Sequence, residues 1–188
     1  AVLLAGCSSG AGGGSTTTMN GGSSSSSSGT STAGAPTVSN PLDASKFLHS
    51  PCSALTVSDV SGLGISGATG SPRMAGAGPQ CDWTGDSGAG IDVIWTTGST
   101  GGLDNGYKLQ AAAAGKYFAY FQPTTVGNYP AVYAATSDDR SSGDCVLNVG
   151  VSANTSFLSQ YNGSTSASQA CSLAAKAAAD VIKNLGGS

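Results

Sequence analysis

The sequence predicts an α+β fold: an antiparallel sheet of about four to six strands, with short N-terminal helices and a C-terminal helix packed on it. Three observations lead to this prediction. Strand-like segments follow one another through the chain with turn residues between them, the best helical pattern lies at the C-terminal end, and four cysteines in this region suit two disulfides. We expect one domain over residues 41–188, which is long enough to bury a sizeable core.

The first forty residues differ in composition from the rest. Ala1 to Cys7 is an apolar run ending in Leu-Ala-Gly-Cys, which resembles a bacterial lipobox. Residues 1–6 are therefore expected to be the end of a signal peptide that begins before this chain, and Cys7 is expected to carry a diacylglycerol thioether. Residues 7–40 are the lipid-anchor cysteine followed by Gly, Ser and Thr, whose lack of apolar surface predicts a disordered linker.

Short helices are the first elements predicted in the domain. A helix is expected over residues 41–48, where Asn40 caps it and a proline occupies its first turn. Thr56 and Asp59 form a capping box for a second helix, which ends at Gly62. Residues 66–79 are Gly, Ser, Pro and Ala and predict a surface loop.

Alternating apolar and β-branched residues predict the strands. Strands in meander order are expected at 80–84, 91–96, 117–121, 129–135, 145–151 and 157–161, the last as a short edge strand, with an alanine-rich helix at 103–114. Ser166 and Gln169 form a capping box for the final helix, whose apolar side recurs at helical spacing up to Leu185.

The low content of charged residues and the negative net charge disfavour some classes of binding partner. Charged residues make up 9% of the sequence, and the net charge is −3. No basic footprint is present for nucleic acid or anionic lipid headgroups, so neither is expected. No run of eighteen apolar residues occurs, so membrane attachment is expected only through the lipid on Cys7.

Four cysteines in the domain predict two disulfides in an exported protein. Three pairings are possible, and we favour Cys52–Cys81 with Cys145–Cys171 because sequential loops of about thirty residues close with the least topological demand. A metal site is disfavoured, since no pair has C-x-x-C spacing and His49 is the only histidine. No metal or cofactor is expected.

Few residues suit catalysis. His49, beside Ser50, is the sole candidate base for a serine hydrolase, and an exposed histidine after a short helix explains it more simply. Asp82 and Asp92 lie on neighbouring predicted strands and could face each other as a glycosidase pair, although polar residues on a solvated sheet face also account for them. The Asp-containing turns near 86 and 138–144 lack EF-hand spacing, which disfavours calcium.

Aromatic residues are concentrated between positions 107 and 133, where seven of the chain's twelve lie. Ordinary core and sheet surface would explain this group. An apolar groove between the 103–114 helix and the sheet is the functional alternative, able to take a lipid, glycan or peptide. The candidate ligand-binding residues are Tyr107, Tyr117, Phe118, Tyr120, Phe121 and Tyr129, with Tyr133 as a further member of the group.

The domain also resembles a known family over about residues 42–185. The matching features are Cys52 followed by Leu55-Thr56-Val57-Ser58-Asp59-Val60, the Cys-x-Trp at Cys81, a turn from Gly127 to Ala131, Cys145 at the start of a strand, and a Cys-x-x-Ala helix from Cys171. They are similar to those of the actinobacterial lipoproteins grouped as domain of unknown function thirty-five fifty-eight. The resemblance implies an exported, lipid-anchored, disulfide-bonded domain. It supplies no activity and no catalytic residues.

These features predict a cell-envelope domain on the outer face of the cytoplasmic membrane. The favoured function is a non-catalytic binding or scaffold module with an envelope protein or other envelope molecule as partner. A carrier of a small apolar ligand, such as a lipid or glycolipid held in the aromatic groove, stays open as an alternative. An envelope hydrolase is the least favoured of the three.

Overall fold

The computed structural model describes residues 34–98 and 101–187 and confirms the predicted α+β class. Within these residues the strands are β1 (Thr69–Ala75), β2 (Gly78–Thr84), β3 (Gly90–Thr97), β4 (Tyr120–Val126), β5 (Tyr129–Ala135), β6 (Asp144–Ser152) and β7 (Thr155–Asn162). The α-helices are α1 (Ser45–His49), α2 (Val57–Ser61), α3 (Asp104–Ala112) and α4 (Ala167–Asn184). The sheet has seven strands, more than the four to six expected.

All seven strands form one antiparallel sheet in the order β1-β2-β3-β7-β6-β5-β4. The chain builds β1 to β3 as a meander, crosses through α3 to the opposite edge, and returns as a second meander from β4 to β7. The predicted single meander is therefore wrong, as is the edge position of residues 157–161. In β7, Phe157 pairs with Trp95 on one side and with Val149 on the other, at the centre of the sheet.

The loop predicted at 66–79 is also wrong, because β1 and the start of β2 occupy most of it. The seven residues of β1 are exposed or half-buried and show no alternation of buried and exposed positions. As an edge strand, β1 needs no buried face, and it tolerates Pro72 because one side of its backbone has no neighbouring strand. Its sequence therefore lacks the period-2 signal by which inner strands are recognised.

The main core lies between one face of the sheet and α4 with the short N-terminal helices. The Trp95 ring contacts Phe47 and Phe157, with ring centroids 5.8 and 5.1 Å apart. Helix α4 buries Ala174 and Ala178 completely, and such small side chains allow a helix to approach the sheet closely. The helix and sheet are also joined by a buried hydrogen bond, since the Ser159 hydroxyl donates to the Ala174 carbonyl at 2.8 Å.

The capping signals locate two of the helices. Thr56 and Asp59 form the predicted reciprocal capping box at the start of α2. At α4, the Ser166 hydroxyl accepts from the Gln169 N–H as expected, but the Gln169 side-chain oxygen accepts from Thr165 at 2.6 Å instead of returning to Ser166. One half of that predicted box is therefore formed by a different partner.

Helix α1 begins at Ser45, later than the predicted start at Pro41. The Leu42 N–H donates to the Val151 carbonyl at 2.8 Å, and this bond ties the preceding segment to β6. Asp43 then accepts hydrogen bonds from both the backbone N–H and the hydroxyl of Ser45. Because of this tertiary hydrogen bond, the helix begins at Ser45 and not at Pro41, where the local sequence predicted its start.

The predicted strand at 117–121 begins late, at Tyr120, because Gln110 stabilises a turn before it. The Gln110 amide donates to the Gly115 carbonyl at 2.9 Å and accepts from the Phe118 N–H at 3.0 Å. Ala114 and Gly115 both have positive φ, and this left-handed pair ends α3. Residues 117–119 therefore belong to the turn and not to the sheet.

Both favoured disulfides are confirmed. Cys52–Cys81 joins the one-turn helix at Pro51–Ser53 to β2, and Cys145–Cys171 joins β6 to α4. Each closes a loop of fewer than thirty residues, which stabilises the fold by about 3–4 kcal/mol in the chain-entropy model.

Candidate functional site

The predicted lipid-anchor residue, Cys7, lies outside the described residues, as does most of the predicted linker, so the lipobox reading stays a prediction. Contact with the domain begins before the predicted boundary at Pro41. The Ala35 N–H donates to Asp104 at 3.1 Å, and Val38 packs on the main core. Within residues 34–98 and 101–187, no helix is both long and apolar enough to span a membrane.

Helix α3 and the turn after it bring part of the aromatic group together. Tyr107 meets Phe121 edge-on with centroids 4.9 Å apart, and Phe118 stacks on Phe121 at 5.6 Å. Tyr117 contacts Phe118 at 4.8 Å but remains 43% exposed. Of these rings, Tyr107, Phe118 and Phe121 pack on a small apolar cluster around Val132 between α3 and the sheet.

The other predicted ligand residues lie elsewhere. Tyr129 is buried in the main core. Tyr120 lies where β5 and β6 separate: its hydroxyl accepts the Val146 N–H at 3.2 Å, and the Arg140 guanidinium lies over its ring at 4.0 Å. The hydroxyl of Tyr133, the further member of the group, donates to the Cys171 carbonyl at 3.3 Å. The six candidate residues are thus divided among three places.

His49 ends α1 on the protein surface. Its Nδ1 is 2.8 Å from the Ser45 carbonyl oxygen, one turn earlier in the same helix. This hydrogen bond holds the imidazole against the backbone of its own helix, which is a structural role.

In the part of the chain that the structure describes, the sheet face opposite α4 is only partly covered. Helix α3 packs over β5 and β4, where Leu103 and Tyr107 join the cluster around Val132. The cluster under α3 has no member on β2, β3 or β7, and on the same face of β3 and β7 the side chains of Ile94 and Leu158 are half-buried. There Ile94 pairs with Leu158, and Asp92 lies between Asp82 and Gln160. We call this region the open face, defined by Asp82, Asp92, Ile94, Leu158 and Gln160.

Two carboxyl groups meet at the centre of the open face, as the sequence predicted. Asp82 and Asp92 are directly opposite in the β2–β3 register. Asp82 is buried, forms an ion pair with Arg73 of β1, and accepts a hydrogen bond from Gln80. Burial first, and then the charge of Asp82, raise the pKa of Asp92 to about 7, while Arg73 acts in the opposite direction. The pair is therefore expected to hold a proton up to near-neutral pH.

A third carboxyl group, that of Asp144, lies at the border of the open face. The Gln160 amide donates to both of its oxygens at 3.2 and 3.1 Å. Burial raises the pKa of Asp144, against the lowering effect of the Gln160 hydrogen bonds. A cavity of about 180 Å³ lies beside them; Tyr120, Ala135, Ser137, Asp139 and Val146 complete its lining.

The carboxylates of this region do not assemble a metal site. Among the described residues, no group of three or more His, Cys, Asp or Glu side chains is arranged to hold an ion. On the open face Asp82 forms an ion pair with Arg73, and on the neighbouring loop Asp138 forms one with Arg140 at 2.7 Å. What the open face offers chemically is a pair of aliphatic side chains beside carboxyl groups.

Sequence reasoning found the Asp82–Asp92 pair but missed the residues around it. The alternation of β7 was visible, since Leu158 and Gln160 interleave with buried residues. That Ile94 lies beside Leu158 could not be predicted, because the pairing of β7 with β3 depends on the path of the whole chain. Arg73 was missed because β1 carries no strand pattern.

Comparisons with known proteins were consistent with the motifs of the sequence. A family model described as "Protein of unknown function (DUF3558)" matches residues 2–184. Neither the curated proteins nor the solved structures gave a match.

Proposed function

The chain belongs to the DUF3558 family of proteins of unknown function, and from this premise we propose that it is an exported, lipid-anchored, non-catalytic module that binds a protein of the cell envelope through its open face. The observation that carries the proposal is the open face, where the half-buried Ile94 and Leu158 lie side by side next to Asp82 and Asp92.

Export is supported by the cysteines. All four in the described residues are paired, and disulfides persist in oxidising compartments outside the cytoplasm. Cys7 follows an apolar run, and a serine-rich segment separates it from the domain, as suits a tethered protein. Two acyl chains on one cysteine would give stable anchoring, where a single chain is marginal.

The anchor is tested by Cys7→Ala in the protein expressed from its complete gene. We expect the variant to leave the membrane fraction or to remain unprocessed, and mass spectrometry to lose the mass of the diacylglycerol group. Unchanged fractionation and mass would refute the anchor.

The composition of the open face defines the chemistry of the partner. Its titratable groups are the carboxyl groups of Asp82, Asp92 and the bordering Asp144, beside the single guanidinium of Arg73, and a basic residue of a partner would favour the ionised form of Asp92. A matching protein surface therefore presents an aliphatic or aromatic residue for Ile94 and Leu158, flanked by lysine or arginine. Interfaces of this kind derive most of their binding energy from a few central apolar residues, with charges contributing orientation.

Site-specific photo-crosslinking tests the proposal. A photoreactive phenylalanine replaces Leu158 on the open face, or Val57, which is 77% exposed on α2, as a matched aliphatic control. We expect one dominant adduct from position 158 and not from 57. The partner identified in that adduct is then purified and titrated with the wild type, Leu158→Ser and Val57→Ser.

Leu158→Ser should weaken binding at least tenfold, which corresponds to about 1.4 kcal/mol, whereas Val57→Ser should not. Raising the salt concentration should also weaken binding, because exposed charges are screened. Equal affinities of the two variants for the partner, or equal crosslinking from both positions, would contradict the assignment of the open face.

The carrier and hydrolase alternatives have weaker support. Tyr107, Phe118 and Phe121 contact one another where the aromatic groove was predicted, which leaves their faces less available to a ligand. His49 caps its own helix, and Asp82 is engaged by Arg73. A binding module uses the features of the open face directly, so it is the function we favour.

A further inference from the structure

Residues 35–42 form an arch at the N-terminal end of the described chain. One end is fixed where the Ala35 N–H donates to Asp104 at 3.1 Å, and the other where the Leu42 N–H donates to the Val151 carbonyl at 2.8 Å. Pro36 and Pro41 lie between or beside these points and restrict the backbone of the arch. We call residues 35–42 the arch.

A cavity of about 310 Å³ lies beneath the arch. Its floor is the buried Leu103, and Ser152 and Ala153 of the β6–β7 turn close one side. The space opens to solvent on one side, and its volume is at the lower limit of the size of ligand pockets.

The lining of this cavity is aliphatic with a polar rim. Ala35, Pro36, Val38, Pro41, Leu103 and Ala153 supply the apolar surface, and Thr37, Asp104 and Ser152 the polar atoms. Hydrogen bonding to Lys108 and to the backbone of Ala35 lowers the pKa of Asp104, so its carboxylate is charged at neutral pH. One oxygen of this carboxylate pairs with Lys108 and the other accepts from the Ala35 N–H, so its charge is largely compensated. Its remaining lone pairs can accept a hydrogen bond from a hydroxyl, which an anionic headgroup cannot donate.

We propose that the cavity beneath the arch binds the aliphatic chain of a neutral alcohol-type lipid, whose hydroxyl donates to Asp104 or to the neighbouring rim. The site is separate from the open face and does not depend on the proposed protein partner. The cavity lies where the predicted tether joins the domain. A ligand in it would contact both the arch and the β6–β7 turn, because both line the cavity.

The probe for this proposal is 1-octanol, with octanoate as the anionic comparison. The full chain, carrying ¹³C-labelled methyl groups, is titrated with each compound and followed by NMR. We expect octanol to shift the methyl signals of Val38 and Leu103 with a dissociation constant in the millimolar range. Octanoate should bind at least tenfold more weakly, and Asp104→Asn should reduce that difference.

Ala153→Phe fills the cavity from an exposed turn and should weaken octanol binding at least tenfold. Ala119→Phe, at another exposed loop alanine, is the matched control and should leave it unchanged. If Ala153→Phe perturbs the methyl spectrum of the sheet, Thr37→Phe on the exposed side of the arch takes its place. Leu158→Ser, which tests the open face, should not affect octanol binding.

Two outcomes would overturn the proposal. In one, octanol at its solubility limit leaves Val38 and Leu103 unshifted in the wild type. In the other, the folded Ala153→Phe or Thr37→Phe variant binds octanol as tightly as the Ala119→Phe control does. Neither outcome bears on the crosslinking test of the open face, so the two proposals fail independently.

Discussion

Replacing Asp92 by asparagine should stabilise the protein at neutral pH and leave its stability in acid nearly unchanged. In the folded state, burial and the charge of Asp82 raise the pKa of Asp92 from 3.8 to about 7. An acid with a raised pKa binds its proton more tightly when folded than when unfolded. Between about pH 4 and pH 7, Asp92 is ionised in the unfolded chain but still protonated in the folded protein. The free energy of unfolding therefore falls as the pH rises through this interval.

The size of the effect follows from that difference in pKa. The full interval between 3.8 and about 7 corresponds to about 4 kcal/mol at about 1.4 kcal/mol per pKa unit. Asp92 is only half-buried on the open face, so solvent screens part of the interaction, and we expect about 1–2 kcal/mol above pH 7. Asparagine resembles the protonated acid in shape and can donate to Asp82 in the same way.

Urea denaturation followed by circular dichroism, with both disulfides intact, measures this difference at pH 4, 5.5 and 7.5. The advantage of Asp92→Asn should grow with pH, and in a separate thermal scan at pH 7.5 the midpoint temperature should rise by roughly 2–8 °C, on the order expected for a domain of this size. Asp86→Asn, in the exposed β2–β3 turn, is the control. A destabilised variant at pH 7.5, or the same free-energy change at pH 4 and 7.5, would refute the reasoning.

Three further changes test contacts of the fold by the same urea titration. Replacing Cys145 and Cys171 together by serine should lower the free energy of unfolding by about 2–4 kcal/mol, because the unfolded chain gains freedom; no loss would contradict a bond formed in solution. Tyr120→Phe leaves the Val146 N–H without its acceptor and should cost about 1–2 kcal/mol; a neutral result would show that water replaces the phenol. Thr56→Ala should cost about 1 kcal/mol by removing the cap of α2, and an unchanged midpoint would deny the capping box.

Local signals in the sequence located several elements correctly. The Thr56–Asp59 box starts α2, and the hairpin of β2 and β3 forms where alternating residues flank a Gly-rich turn. These predictions hold because capping and hairpin pairing involve residues close together in the chain, whose geometry depends little on the rest of the fold.

Predictions from local sequence patterns were wrong where a contact with a distant residue determines the local structure. The Leu42 hydrogen bond to Val151 delays α1, and the Gln110 side chain delays β4. The edge strand β1 forms through backbone bonds to β2 alone, and its exposed side chains carry no pattern. In each case the deciding partner lies outside the window over which periodicity or propensity operates.

The sequence by itself predicted the fold class and the family resemblance, favoured the disulfide pairing that the structure has, and placed Asp82 and Asp92 on strands that could bring them face to face. Only the tertiary structure decided that β7 lies beside β3, which brings Leu158 to Ile94 and creates the open face. It also decided that residues 35–42 arch over a cavity. The physical reason is that strand order depends on the long crossover through α3, whose destination is set by the summed packing of the whole sheet and not by any short stretch of residues.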